Sequence, residues 1–212
     1  MSHLPPPRKP GPIKPSAGDY FRERFLQVPD RVDMASWAGR AVVFAVLVAW
    51  GLLFIFHSVD SNYAGQSFLH HVNLVFHEAG HIVFRPFGRF ISVLGGSLMQ
   101  VLMPLLVTGA FLFKNRDGFG ASVGLWWLGQ NLIDMAPYIA DARALKLPLL
   151  GGVTGREVED YHDWEFILGR TGLMAWDQTI AKGAHGLGSL LILAAFAWGG
   201  CLLYLQFKAA RQ

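Results

Sequence analysis

Residues 67 to 84 read SFLHHVNLVFHEAGHIVF, and Glu78 is the only charged residue among them. Eighteen residues of this character are long enough to cross the hydrocarbon core of a membrane as a helix. Inside the run lies His77-Glu78-Ala79-Gly80-His81, an H-E-x-x-H motif. Residues four apart share a face of an α-helix, so His77 and His81 can offer two imidazoles to one metal ion. Glu78 follows the first imidazole, where its carboxylate can take a proton from a water that the metal activates. A carboxylate at membrane depth costs roughly 2.5–3.5 kcal/mol on insertion scales, and packing gives no reason to place one there. The run points to an all-α membrane protein with a zinc site between its helices.

The rest of the chain agrees. Of 212 residues, 52% are hydrophobic and 16% charged, and the mean hydropathy is positive; soluble domains carry about 25% charged residues. The apolar residues are bunched into about five runs of spanning length, near 37–56, 67–84, 90–113, 119–140 and 186–207. A polar stretch over 141–184 separates the last two, and 208–212 form a short tail. Residues 1–36 are a basic arm, Pro-rich and expected to be disordered through residue 18. Residues 19–40 mix charges with Phe21, Phe25, Leu26 and Trp37, the pattern of a helix lying at the membrane interface. The motif span should stop at Arg85-Pro86, because proline disfavours helical geometry in the residue before it. Gly95-Gly96 suggests a bend or re-entrant start to the third span, and Gly120/Gly124 a close helix contact in the fourth.

Charge bears on partners and orientation. The net charge is +3, and the basic residues gather at the ends of the apolar runs, which suits anionic headgroups rather than nucleic acid. The single cysteine, Cys201, leaves no disulfide framework and no cysteine-ligated zinc. Seven Lys/Arg fall within the first 40 residues and none within 60–66, so the N-terminus is expected in the cytoplasm, with a bacterial inner membrane as the location. Alternation through five spans then puts Arg85, Arg89 and 141–184 inside, and Lys114, Arg116 and the C-terminus outside. It also gathers the site candidates toward the cytoplasmic side.

A catalytic zinc commonly keeps three protein ligands and one position open to water. For the third ligand the chain offers Asp134 and Asp141, in QNLIDMAPYIADAR over 130–143, and His162, in Tyr161-His162-Asp163-Trp164. In that last group Asp163 reads as an acid that orients the imidazole. Asp141 is preferred: it lies beyond Pro137, where the helix should loosen and let a carboxylate turn toward His77 and His81. Asn131 could hold a substrate backbone or an oxyanion. His70 and His71, about 10 Å along the helix from His77, are not read as ligands.

An H-E-x-x-H motif on a transmembrane helix, followed by a later span carrying an asparagine and then an aspartate, resembles the site-2 protease family of intramembrane zinc metallopeptidases. Val93-Leu94-Gly95-Gly96-Ser97 fits that family's glycine-rich start to the following span. The resemblance implies that His77, His81 and an aspartate, by position Asp141, bind Zn2+, that Glu78 is the base, and that Asn131 matches the family's asparagine. This chain has Ala140-Asp141-Ala142 where the family usually has Leu-Asp-Gly. The function expected is a membrane-embedded zinc metalloendopeptidase acting on a transmembrane protein or peptide substrate in the lipid bilayer. The alternative is a non-proteolytic, metal-stabilised scaffold or partner-binding protein. Glu78 separates the two, since a structural zinc does not need it.

Overall fold

A computed structural model describes residues 16–28 and 32–211. The disorder expected of the arm falls mostly outside the described residues. Those described form an all-α bundle, without strands, in which three helical segments are long and apolar enough to cross a membrane: Met34–Phe56, Arg89–Lys114 and Met174–Ala210.

Helix α1, Ala17–Phe25, is a piece of the expected interfacial helix. It opens on a reciprocal cap in which Ser16 Oγ accepts from the Asp19 N–H and the Asp19 carboxylate accepts from the Ser16 N–H. Helix α2, Met34–Phe56, starts where the Asp33 carboxylate accepts from the N–H groups of Ala35 and Ser36. Ser67 caps α3, Phe68–Phe84, which gives way at the expected place to a 3₁₀ turn, Arg85–Phe87, around Pro86. Helix α4, Arg89–Gly109, runs into a π-helical turn, Ala110–Lys114; α5, Gly118–Ala140, opens on Asp117. The polar stretch holds α6, Asp163–Thr171, and α7 covers Asp177–Ala210, starting nine residues before the expected span.

Helix α5 is the axis of the bundle and its most buried member, with α7 and α4 packed along it. A core cluster of Phe54, Trp126, Ile133, Ile192 and Ala195 ties α2, α5 and α7 together. Gly120 and Gly124 do mark a close contact: Cβ atoms there would run into Phe111 of the π-helical turn and Thr108 of α4.

The ends of these helices correct the alternating arrangement. Arg40, near the start of α2, pairs with Asp117 at 3.2 Å, and the Trp37 indole donates to the carbonyl of Leu203 near the end of α7. The start of α2, the α4–α5 turn and the end of α7 therefore share one end of the bundle, whereas five-span threading puts the turn and the C-terminus opposite the N-terminus. At the other end His185 donates to the carbonyl of His57, Gln178 to that of Ala140, and His81 sits against Ser92. The C-terminal ends of α2, α3 and α5 meet there.

Helix α3 is the reason. Its 17 residues, about 26 Å, are at the lower limit for a span, and packing rather than length decides its path. The segment before it does not stay at the surface: Tyr63, Ala64 and Leu69 pack on the Phe54–Trp126–Ile133 core. The chain folds back into the bundle after α2, and α3 leaves by the same end at which α2 arrived.

Candidate metal centre

His77 and His81 sit one helical turn apart on α3, with ring centroids 4.8 Å apart, facing α4 and the first turn of α6. Two close approaches on α4 make room for them. A Cβ at Gly80 would strike the carbonyl of Gly95, so α3 and α4 touch backbone to backbone at that point. A Cβ at Gly96 would lie 2.6 Å from His77 Nε2 and 2.8 Å from His81 Cε1. Gly95-Gly96 is thus the hollow in which the imidazoles lie, rather than a bend.

The nitrogens on the far side of each ring are pinned. His77 Nδ1 is 2.8 Å from Gln100 Oε1, and His81 Nδ1 is 2.9 Å from the carbonyl oxygen of Ser92. Both partners are acceptors, so each ring donates from Nδ1 and leaves Nε2 facing inward for a proton or a metal ion. The two Nε2 atoms then converge on a single oxygen: Asp163 Oδ2 is 2.7 Å from that of His77 and 3.3 Å from that of His81. Glu78 is half-buried beside them, with its carboxylate within 4.8 Å of the imidazole nitrogens.

Three acceptors pointed at one another need a positive charge between them. Two imidazolium rings 4.8 Å apart would supply it at the cost of mutual repulsion. One divalent cation satisfies all three donors at once, and two imidazoles with a carboxylate are a donor set suited to zinc. The chemistry of the donors and the hollow opened by Gly96 fit such an ion.

Asp163 is the first residue of α6 and is held there from several directions. His162 caps the helix, its Nδ1 accepting from the Glu165 N–H, and the Tyr138 hydroxyl accepts from the Asp163 N–H at 2.8 Å. The helix docks on α4 through Arg89, which pairs with Asp160 at 3.0 Å and lies over the Phe166 ring. Burial pushes the Asp163 carboxyl up, but the adjoining rings of His77 and His81 outweigh it and hold the group below the usual carboxylate range.

The structure does not bring the other candidates to this cluster. The Asp141 carboxylate accepts from the N–H groups of Lys146 and Leu147, both at 2.9 Å, and lies 3.6 Å from His162 Nε2. It closes the turn that ends α5 instead of reaching back to α3, because Pro137 leaves α5 helical as far as Ala140 and the loosening expected there does not occur. His162 is buried as a helix cap, its ring tilted against that of Tyr138. Asp134 is held at 3.1 Å by His70 and at 3.0 Å by Asn73, further along α3. Asn131 is buried and donates to the Trp127 carbonyl in its own helix.

Sequence reasoning missed Asp163 as the group facing the imidazoles, giving it only the task of steering His162. The signal was one residue away: a histidine followed by two acids within three positions is a helix-start pattern, and it turns the capping residue away while the next acid points along the helix. Gln100 was missed as well. Replacing it with alanine should leave the fold intact and weaken metal binding by roughly 10- to 100-fold, the usual effect of losing the group that orients a ligand histidine. Competition of the purified variant against a zinc chelator measures this, and wild-type affinity would remove Gln100 from the site.

Comparison of the chain with protein-family models, curated proteins and solved structures returned no match. The reading of the site rests on its own geometry.

Proposed function

We propose that this protein is a membrane-embedded zinc metallopeptidase whose ligands are His77, His81 and Asp163 and whose general base is Glu78. The observation that carries the reading is the convergence of two Nδ1-pinned imidazoles and one carboxylate oxygen on a common point. That is the metal-binding geometry to which a neighbouring glutamate adds a base. In this reading α2, α4, α5 and α7 cross the bilayer, and α3 holds the motif part-way through it. Asp163 takes the place that resemblance to the site-2 proteases gave to Asp141.

Zinc held there supplies Lewis acidity toward a water and toward a peptide carbonyl. The chain's own residues do the rest. His77 and His81, locked by Gln100 and Ser92, keep their Nε2 lone pairs aimed without rotamer loss. Glu78 takes the proton of the attacking water and later passes it to the leaving amine. The apolar walls of α3 and α4 keep bulk water from the site and raise the strength of each charge interaction.

The purified full-length protein should contain about one zinc per chain, the number a single three-ligand site holds. Stripping it with a chelator should stop cleavage of a membrane-protein reporter in proteoliposomes, and returning zinc should restore it. Protein that carries no zinc and is not affected by chelator would end this reading.

A further inference from the structure

His70, Asn73, His77 and His81 follow one another on α3 at spacings of three and four, and so share one face of the helix. The opposite face, with Phe68, Val75, Ile82 and Val83, is exposed and apolar, as a surface toward lipid is. His77 and His81 belong to the metal centre. His70 and Asn73 meet a second set of polar side chains, on α5.

Asn73 is fully buried, and both ends of its amide are satisfied by α5. Its Oδ1 accepts from the Trp127 indole at 2.9 Å, and its Nδ2 donates to Gln130 Oε1 at 2.9 Å and to Asp134 Oδ2 at 3.0 Å. An indole nitrogen can only donate, so Trp127 fixes which end of the amide is oxygen and leaves both N–H groups for Gln130 and Asp134. The other oxygen of Asp134 stands 3.1 Å from His70 Nδ1. Trp127, Gln130 and Asp134 are themselves spaced by three and four along α5, so a polar stripe on each helix faces the other.

Within a bilayer, apolar side chains gain little by leaving lipid for a neighbouring helix, because both surroundings are apolar. Leu69 and Phe76, which also pack toward α5, therefore do little to choose how α3 is rotated. A buried amide and carboxylate do choose, since hydrocarbon offers them no partner. Turning α3 by one residue position, about 100°, would carry Asn73 away from Asp134 and swing both imidazoles away from Asp163. The helix is held at two points: backbone to backbone on α4 at Gly80, and on α5 through Asn73, seven residues or about 10 Å earlier. A single point would leave it free to pivot. His77 lies between the two.

We propose that Asn73, anchored by Trp127 and Asp134, is a positioning residue of the metal centre: it sets the rotation of α3 that aims His77 and His81 at Asp163. The proposal rests on the reading of those three residues as metal ligands. It also gives a task to Asp134, a buried carboxylate that lies away from the centre. Asp134 supplies an acceptor for the amide of Asn73, which is buried and needs one. That task calls for an acceptor at position 134 and not for a charge. In Asp134→Asn the new amide oxygen still accepts from Asn73, and its N–H faces His70 Nδ1 in the accepting tautomer.

Asn73→Ala and Asp134→Asn, each in the full chain, test this with two readouts. The first needs no metal. In a Cys201→Ser background, spin labels on Val75→Cys and Leu190→Cys, both exposed positions, report the distance between α3 and α7. Asn73→Ala should broaden or shift that distance, and Asp134→Asn should leave it as in the parent. The second readout is zinc affinity by chelator competition. It should fall roughly 10- to 100-fold in Asn73→Ala, the range for losing a group that orients a ligand, and stay near the parent value in Asp134→Asn. A parental distance or a parental affinity in Asn73→Ala would overturn the proposal, and so would an Asp134→Asn protein that behaves like Asn73→Ala. A parent that binds no zinc while its Asn73→Ala variant loosens α3 sinks the peptidase reading and leaves the attachment of α3 standing. A zinc-binding parent whose Asn73→Ala variant is unchanged sinks the positioning role alone.

Discussion

Asp163→Ala should strip the metal from this protein, while Asp141→Ala should leave it bound. In the first variant the two imidazoles keep their partners Gln100 and Ser92, so their geometry survives, but the only anionic group among the described residues within 3.3 Å of both Nε2 atoms is gone. A dication then meets two neutral nitrogens in a site walled by apolar helices, with no protein charge in direct contact apart from Glu78. Affinity should fall by more than the roughly 10- to 100-fold that follows loss of an orienting group, because a ligand itself is removed. Asp141→Ala removes the acceptor for two backbone N–H groups at the end of α5. Leaving those part-buried N–H groups without their acceptor costs at most about 1–3 kcal/mol of stability, a folding defect and not a metal defect. Zinc content by atomic absorption, with chelator competition on folded protein, separates the two. If Asp141→Ala loses zinc while Asp163→Ala keeps it, the arrangement inferred from the structure is wrong and the family-like ligand set is right.

The reasons for that difference show how far the sequence alone could be read. Class, helix positions and the motif were legible because each depends on local chemistry: long apolar runs, N-terminal caps at Asp33, Ser67 and Asp117, a proline at 86, two histidines four apart. The path of α3 was not. Charge counting assumes that each apolar run of spanning length crosses, and 67–84 has that length; what turns it back is the packing of Tyr63, Ala64 and Leu69 into a core that Phe54 shares with Trp126, Ile133, Ile192 and Ala195, more than 50 positions later. Reversing one helix moves every later loop to the other side, so one local misreading displaced both the Lys114–Arg116 turn and the C-terminus. The third donor failed for a related reason. Asp141 and Asp163 are both acids just beyond a span, and nothing in their immediate neighbours says which returns to the motif. That choice is made by the docking of α6, through Tyr138, Arg89 and Phe166, and those contacts join residues 25 to 77 positions apart.

The residue the sequence identified most directly carries the last expectation. Glu78→Gln should retain zinc and lower the rate of peptide-bond cleavage by roughly 10²–10⁴, the range for loss of a positioned general base. The amide has nearly the same shape as the carboxylate, and the ligands His77, His81 and Asp163 remain, so metal binding should change little. What the amide cannot do is accept a proton from the attacking water, and a free buffer base does not match a carboxylate held in place beside the imidazoles. The assay is cleavage of a membrane-protein reporter in proteoliposomes, run under single-turnover conditions so that product release does not mask the chemical step. An undiminished rate in zinc-loaded Glu78→Gln protein would take Glu78 out of the mechanism. Zinc-loaded wild-type protein that cleaves no reporter while Glu78→Gln binds the metal more tightly would favour the other reading, a metal-stabilised scaffold. In that case the carboxylate within 4.8 Å of the imidazoles would be a group whose charge the site tolerates, not one that it uses.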